Sequence, residues 1–378
     1  MSRENLVLYR KYRPRDFSEV VGQDHVVRAI RSAFKLNKVA HAYLFSGPRG
    51  TGKTTMARLI AKSLNCEGGL VRRSFSEGGD RPCNKCNFCN DFNSGRAMDL
   101  IEVDAASNRG IDEIRELREG VRFVPSQGKY KCYIVDEVHS LTKDAFNALL
   151  KTLEEPPAHV VFVLATTEID KVPATIVSRT QHYTFRRPGV KDMGLRLKEI
   201  AKKEGVKLDE EGASLVAIAA EGSLRDAESI LGQIMAVGDK AITRSEVENT
   251  LGLPRRDAAK KMFELVARKD VTGALGLVQE LTDAGYDLAY FSKLLMQYFR
   301  NAFFLKTDLA LRRFVEDEML PDELECLDQN LGSFTEGDLS RGLNIIFTNM
   351  QSFKKTPIPQ LPLEITVIEL ISQQSKEV

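Results

Sequence analysis

Residues Gly47, Pro48, Arg49, Gly50, Thr51, Gly52, Lys53 and Thr54 spell out G-x-x-x-x-G-K-[ST], and Thr55 carries the chain into a helical pattern. That spacing suits phosphate. The glycines let backbone N–H groups turn inward onto phosphate oxygens, Lys53 reaches the β- and γ-phosphates, and the Thr54 hydroxyl is placed to ligate Mg²⁺ at a helix start. The chemistry implied is capture of a nucleoside triphosphate; the plain alternative is a glycine turn between a strand and a helix.

Two further segments supply groups such a site needs. Cys132 to Val135 is a mostly apolar run ending in Asp136 and Glu137. Asp136 is placed to hold the Mg²⁺ shell and Glu137 to polarise an attacking water. Acidic pairs after apolar runs are common, so the phosphate loop is what gives this pair its weight. A third apolar run, Val160 to Ala165, ends in Thr166 and Thr167. A hydroxyl there either reaches the γ-phosphate or lytic water, or simply caps the strand.

A different chemistry is written in four of the six cysteines. Cys66, Cys83, Cys86 and Cys89 offer thiolates at spacings that close a tetrahedral Zn²⁺ site, with free thiols or a redox pair as the alternatives. The intervening stretch, rich in Gly, Arg and Ser, has little apolar content from which to build a core, so a structural metal would anchor it. Four thiolates leave no open position for catalysis.

These groups require a strand before the loop (Ala42 to Phe45), a helix after it (Thr55 to Leu64), and further parallel strands at Cys132 to Asp136 and Val160 to Ala165. Beyond Arg186-Arg-Pro188 the pattern becomes helical, with Leu195, Leu197, Ile200 and Ala201 expected on one face and helices at Asp209 to Glu221 and Leu224 to Val237. From Pro254 onward a third helical unit is expected. Its stripe of Tyr290, Phe291, Leu294, Leu295, Tyr298 and Phe299 reads as core, interface or both.

The chain's 378 residues suit two or three cores. Its 54 Lys plus Arg nearly balance 53 Asp plus Glu, so any nucleic-acid contact must come from local patches. With no Trp and 7% aromatics, a surface that stacks many single-stranded bases is disfavoured. The first residues lack a secretory signal and no stretch approaches the ~20 apolar residues of a membrane span, so a cytoplasmic location with no membrane partner is expected.

Taken in series, the motifs resemble the AAA+ clamp loaders, and among them the γ/τ (DnaX) family of bacterial DNA polymerase III. The likeness runs through Tyr9-Arg-Lys-Tyr-Arg-Pro14, Val20-Val-Gly-Gln23, the phosphate loop, the four cysteines, Asp136-Glu137-Val-His139 and Leu149 to Pro157. It continues through Leu164-Ala-Thr-Thr167, Ser178-Arg179 and Gly222-Ser-Leu-Arg-Asp226. The resemblance implies an α/β AAA+ P-loop NTPase domain over residues 1–182 with a zinc-binding insertion at 66–98, a small helical lid over 183–246 and an all-α collar over 247–378.

It also implies roles. Val20, Val21, Gly22 and Gln23 would border the adenine pocket, Thr167 would be the first sensor, and Arg225 the second. Arg179 would be an arginine finger acting in trans; without the resemblance, either arginine reads as a surface ion pair. ATP, Mg²⁺ and structural Zn²⁺ would be the cofactors. Expected partners are further γ/τ copies, δ and δ′ subunits, the β sliding clamp and primer-template DNA. The segment Asp104 to Arg115 would face the DNA backbone through Arg109 and a helix start, or be a surface helix capped by Ser107 or Asn108.

The finger motif departs from the family's usual Ser-Arg-Cys, reading Ser178-Arg179-Thr180, which implies altered packing with the guanidinium kept. The insertion is also longer than usual between Cys66 and Cys83. The resemblance implies the γ-like three-domain form, the domains that τ uses for helicase and polymerase not being expected within these residues. No carboxylate set of a nucleotidyl transferase is evident, so ATPase activity without DNA synthesis is expected. Another AAA+ DNA motor, acting in branch migration or recombination, and a non-hydrolysing scaffold subunit remain the alternatives.

Overall fold

The computed structural model describes residues 6–69, 81–237, 241–252, 256–316, 319, 321–353 and 355–373. Residues 70–80 of the expected zinc insertion and Pro254 lie outside these. Two compact units divide the chain, Met1–Arg244 and Ser245–Val378.

The first unit is built on five parallel strands: β1 (Ala42–Ser46), β2 (Leu100–Asp104), β3 (Lys131–Asp136), β4 (Val160–Thr166) and β5 (Gln181–Thr184). Their spatial order is β2-β3-β4-β1-β5. β1 and β4 are buried along their whole length, which explains why they read as unbroken apolar runs and not as alternating ones. Ser46 pairs with Thr166 and Asp104 with Asp136, so the carboxyl ends of the strands finish level. Ligands of open α/β sheets bind outside those ends.

Helices cover both faces. Leu59, Ile60 and Leu64 of the Lys53–Leu64 helix pack with Phe45 and Val163 on one side. Leu149 and Leu153 of the Lys143–Glu154 helix pack with Leu44 and Leu164 on the other.

The helix Ile111–Val121 starts at Gly110 with no side-chain cap. Neither Ser107 nor Asn108 caps it, so the capped-helix alternative does not hold. They turn back on the end of β2, where Ser107 Oγ donates to Asp104 Oδ2 (3.0 Å) and Asn108 Nδ2 to the Asp104 carbonyl (3.0 Å). An acidic strand end three or four residues upstream outcompetes the helix for these short polar side chains.

The later part of this unit holds helices Val190–Lys203, Glu210–Ala219 and Leu224–Ala236 and a short parallel pair, β6 (Lys207–Leu208) with β7 (Ala241–Ile242). On the first of these helices Met193, Leu197, Ile200 and Ala201 are buried, whereas Leu195 is exposed. The expectation for Leu195 fails because a two-residue step turns about 200° round a helix.

The second unit is helical. Its longest helix, Leu288–Thr307, buries Phe291, Leu294, Leu295, Tyr298 and Phe299 in the unit's own core. There Phe263, Phe299 and Phe334 make mutual ring contacts at 5.1–5.9 Å. Among the described residues no helix is long and apolar enough to cross a membrane.

Candidate active site and metal centre

A cavity of about 280 Å³ opens at the carboxyl ends of the strands, lined by Val20, Val21, the loop from Arg49 to Thr55, Asp136, Glu137, Arg225 and neighbouring side chains. The loop has little freedom to carry anything but glycine at two points. A Cβ on Gly47 would lie 2.3 Å from the Phe185 carbonyl oxygen, and one on Gly50 would lie 1.9 Å from Ser223 Oγ. Both residues have positive φ (141° and 76°). The helix that follows begins after Gly52, also left-handed, with no side-chain cap. An uncapped first turn at the head of a glycine loop is the arrangement that receives an anion.

Lys53 lies on the cavity wall, only 6% exposed, its Nζ donating to the carbonyls of Gly47 (2.7 Å) and Pro48 (2.9 Å). Burial lowers its pKa, opposed by the carboxylates of Glu137 and Asp136. Thr54 Oγ1 donates to Asp136 Oδ2 across 2.7 Å, joining the loop to β3. These are the two groups expected to share a Mg²⁺ shell, and the structure brings them into contact.

Glu137 follows with φ +48°, an uncommon left-handed conformation for a non-glycine residue. Its Oε2 accepts from the Thr167 hydroxyl (3.0 Å) and backbone N–H (3.3 Å). The Thr166 hydroxyl lies 3.0 Å from His139 Nδ1, which is itself 3.4 Å from Glu137 Oε2. Thr167 therefore reaches the cavity through Glu137 and is not itself part of the wall.

Three of the remaining expected positions lie elsewhere. Gln23 is fully buried, its side-chain amide donating to the Arg186 carbonyl (2.6 Å) and accepting from the Arg186 N–H (3.1 Å). Gly22 has φ +71°, and a Cβ on it would lie 2.9 Å from Pro188 Cβ. Both secure the 186–188 strap and do not line the cavity. Arg179 is on the surface, where Nη2 pairs with Glu154 Oε1 (2.7 Å) and Nη1 donates to the Thr175 carbonyl (3.0 Å). The Thr180 hydroxyl donates to the Ile176 and Val177 carbonyls (3.1 Å each), so the extra polar group is satisfied within its own turn.

Arg225 lies with its guanidinium 4.7 Å from the centroid of the Tyr9 ring, a cation–π contact. One residue before it, the Leu224 N–H donates to the Gly50 carbonyl (3.2 Å), so the lid helices and the phosphate loop share a backbone hydrogen bond. Glu228, one turn beyond Arg225, also lines the cavity although only 5% exposed. Burial pushes its carboxyl up to about 7, against the pull of Arg196 and Arg13. Neither Tyr9 nor Glu228 was assigned a site role from the sequence. Tyr9 opens the Tyr9-to-Pro14 motif, and the helical spacing of Arg225 and Glu228 is the sequence signal for the second.

The Sγ atoms of Cys66, Cys83, Cys86 and Cys89 lie within 4.8 Å of one another, with Cys83 and Cys89 at 4.0 Å. Zn–S bonds of about 2.3 Å in a tetrahedron set sulfur–sulfur edges near 3.8 Å, so the donor set fits zinc. Backbone N–H groups of Cys83, Cys86 and Cys89 point at the sulfurs of Cys66, Cys83 and Cys86 (3.3–3.4 Å). Such donors favour the thiolate form, and hydrogen bonding from Cys89 and the backbone lowers the Cys66 pKa.

A residue the sequence reading passed over completes this centre. Lys62, 1% exposed, donates to the Arg15 carbonyl (3.0 Å), Asn93 Oδ1 (2.7 Å) and Asn84 Oδ1. Burial lowers its pKa while Cys89, Asp16 and Cys66 pull it up against Arg15. It ties the cysteine insertion to the helix that begins at Lys53. A lysine amid Leu59, Ile60, Ala61 and Leu64 was the available sign.

Comparison with known proteins places these features in a family. A family model for the DNA polymerase III delta subunit matches residues 22–189, and one for the ATPase lid domain of the DNA polymerase III clamp loader subunit matches 193–240. A third, for domain III of DNA polymerase III subunits gamma and tau, matches 242–377. The chain is 38% identical over 363 residues to DNA polymerase III subunit tau of Bacillus subtilis, covering 96% of this chain and 62% of that protein. It is 39% identical over 301 residues to DNA polymerase III subunit gamma of Buchnera aphidicola subsp. Schizaphis graminum, covering 80% of this chain and 81% of that one. The chain thus spans under two thirds of the tau relative's length. Among solved structures it is similar to the RuvB Holliday junction branch migration motor of Thermotoga maritima, at 18% identity and a TM-score of 0.48 over 67% of this chain and 78% of that one. With a gamma relative covered over four fifths of its length and a gamma and tau domain matched at its carboxyl end, the chain belongs to the DNA polymerase III gamma/tau family.

Proposed function

We propose that this chain is an ATP-hydrolysing motor subunit of a DNA polymerase III clamp loader, acting in the cytoplasm. The observation that carries the reading is the 2.7 Å contact between Thr54 and Asp136 beneath the glycine loop, with Lys53 and Glu137 lining the same cavity. Lys53 would hold the β- and γ-phosphates of ATP. Thr54 and Asp136 would hold Mg²⁺, which when bound offsets charge on the transferring phosphoryl group. Glu137 would take the proton of the attacking water as ATP and water become ADP and phosphate, with Thr167 fixing its carboxylate.

Val20 and Val21 would border the base and Arg225 would touch the γ-phosphate from the lid. Gly22 and Gln23 support this end of the cavity through Pro188 and Arg186. Arg179, held on Glu154 outside the cavity, would exchange that partner for the triphosphate of an adjoining subunit. Hydrolysis would then depend on assembly. The four cysteines would bind structural zinc, closing an insertion that has little core of its own.

The three-part division into nucleotide domain (1–182), lid (183–246) and oligomerising collar (247–378) follows the same reading. Partners would be further γ/τ copies, δ and δ′ subunits, the β clamp and primer-template DNA, the last approached by the segment from Asp104 to Arg115. The decisive measurement is ATP turnover of the assembled complex with clamp and primed DNA added separately and together. Stimulation by both is expected. Stimulation by four-way junctions in their place would favour a branch-migration motor, and no turnover at all a scaffold.

A further inference from the structure

A second cavity of the first unit adjoins the nucleotide cavity and shares Arg10, Arg13, Pro14 and Arg58 with it. It encloses about 790 Å³ between the segment 10–15, the Lys53–Leu64 helix, the edge of the cysteine insertion and the Val190–Lys203 helix. Its wall carries eight Lys or Arg side chains against a single carboxylate, Glu19. That carboxylate is already engaged, accepting from the Arg15 backbone N–H at 2.7 Å.

Some of the cations are balanced locally. Lys11 pairs with Glu204 at 2.6 Å and Arg58 pairs through two nitrogens with Glu102. Arg10, Arg13, Arg15 and Lys203 have no carboxylate oxygen within 4 Å among the described residues. Arg13 is crowded as well, with burial and then Arg58 lowering its pKa. The wall is held in place from behind, because Arg196 Nη2 donates to the Tyr12 carbonyl (2.7 Å) and Lys62 Nζ to the Arg15 carbonyl (3.0 Å). Arg10 lies over the Tyr9 ring and Lys203 over the Tyr12 ring, so neither charge is neutralised by a carboxylate. Cations gathered around a concavity raise the local concentration of anions and offer an entering anion charge-assisted hydrogen bonds.

We propose that this cavity is a second anion site, distinct from the phosphate loop, that binds a polyphosphate-bearing small molecule. The chemistry is shared by inorganic polyphosphate and by nucleotides. Tyr12 and Phe92 also line it, their rings already in cation–π contact with Lys11, Lys203 and Lys62, so a base would have to compete for them whereas inorganic polyphosphate would not. The inference goes beyond the motor reading and does not depend on it.

Equilibrium dialysis with tripolyphosphate, and separately with ATP, on the full chain carrying Lys53→Ala tests it at physiological ionic strength. One equivalent of tripolyphosphate is expected to remain bound, and adding Arg15→Gln with Lys203→Gln should weaken it about tenfold or more. Both added positions are exposed and outside the nucleotide cavity, and circular dichroism checks that the variants fold. Tighter binding of ATP than of tripolyphosphate would identify a nucleotide as the occupant, and equal binding the inorganic anion. Loss of all binding with Lys53→Ala, or binding unchanged by the double substitution, overturns the proposal.

Discussion

The Thr167 hydroxyl and backbone N–H both donate to Glu137 Oε2, at 3.0 and 3.3 Å, so the residue that follows β4 decides where the carboxylate that follows β3 points. Glu137 enters from a left-handed backbone, a conformation its neighbours must sustain. Thr167→Val removes the hydroxyl at constant shape. We expect turnover to fall about tenfold to a hundredfold with ATP affinity nearly unchanged, since the group lost orients a base and does not hold phosphate. Single-turnover kinetics with a parallel nucleotide titration measures both; a change confined to affinity would contradict the positioning role.

The phosphate loop meets the lid at Gly50, where a Cβ would collide with Ser223 Oγ and where the Leu224 N–H is bonded. Gly50→Ala should weaken nucleotide binding about tenfold or more and lower the melting temperature by several degrees. Gly95→Ala is the control, because Gly95 has nearly the same φ (75°) with nothing within 4 Å of its Cβ position. Equal losses in the two variants would mean that backbone strain alone is responsible and that the lid contact is idle.

Lys62 and the cysteine cluster should behave as one unit. Removing zinc with a chelator is expected to lower thermal stability, because metal-binding free energy becomes folding free energy in a segment without its own core. Lys62→Met leaves three acceptors without their donor and should cost about 1–3 kcal/mol. The two losses should be less than additive, since each loosens Asn84 and Asn93. Metal analysis with thermal unfolding of the four states tests this; strict additivity would separate the lysine from the metal centre.

Glu228 gives a pH signature. Its carboxyl lies at about 7 in the fold against an ordinary 4.5, through burial that Arg196 (Nε 4.0 Å away) and Arg13 only partly offset. The folded chain therefore binds the extra proton between those values. Stability drops as pH rises through that window, and the full cost persists above pH 7. Glu228→Gln should match the parent below pH 4.5 and exceed it above pH 7, by at most on the order of 3 kcal/mol. Urea titrations across the range would detect it, and a variant with an unaltered pH slope would rule the residue out as the source.

The phosphate loop, the apolar strands with their carboxylates and the cysteine set were legible in the sequence because each is a local pattern. Glycine freedom, strand hydrophobicity and thiolate spacing are fixed by residues a few positions apart. Leu195 falls off the expected face for want of strict helical phase, and the capping alternative at Ser107 and Asn108 fails because the end of β2 competes for them. What only the tertiary structure decided was which distant groups meet: Thr167 on Glu137, Gln23 on Arg186, Lys62 between Arg15, Asn84 and Asn93, and Glu228 buried beside the cavity. Those pairings depend on parallel strand order and helix packing, which bring residues from 22 to 163 positions apart into hydrogen-bond range and strip water from charges that the sequence presents as ordinary surface.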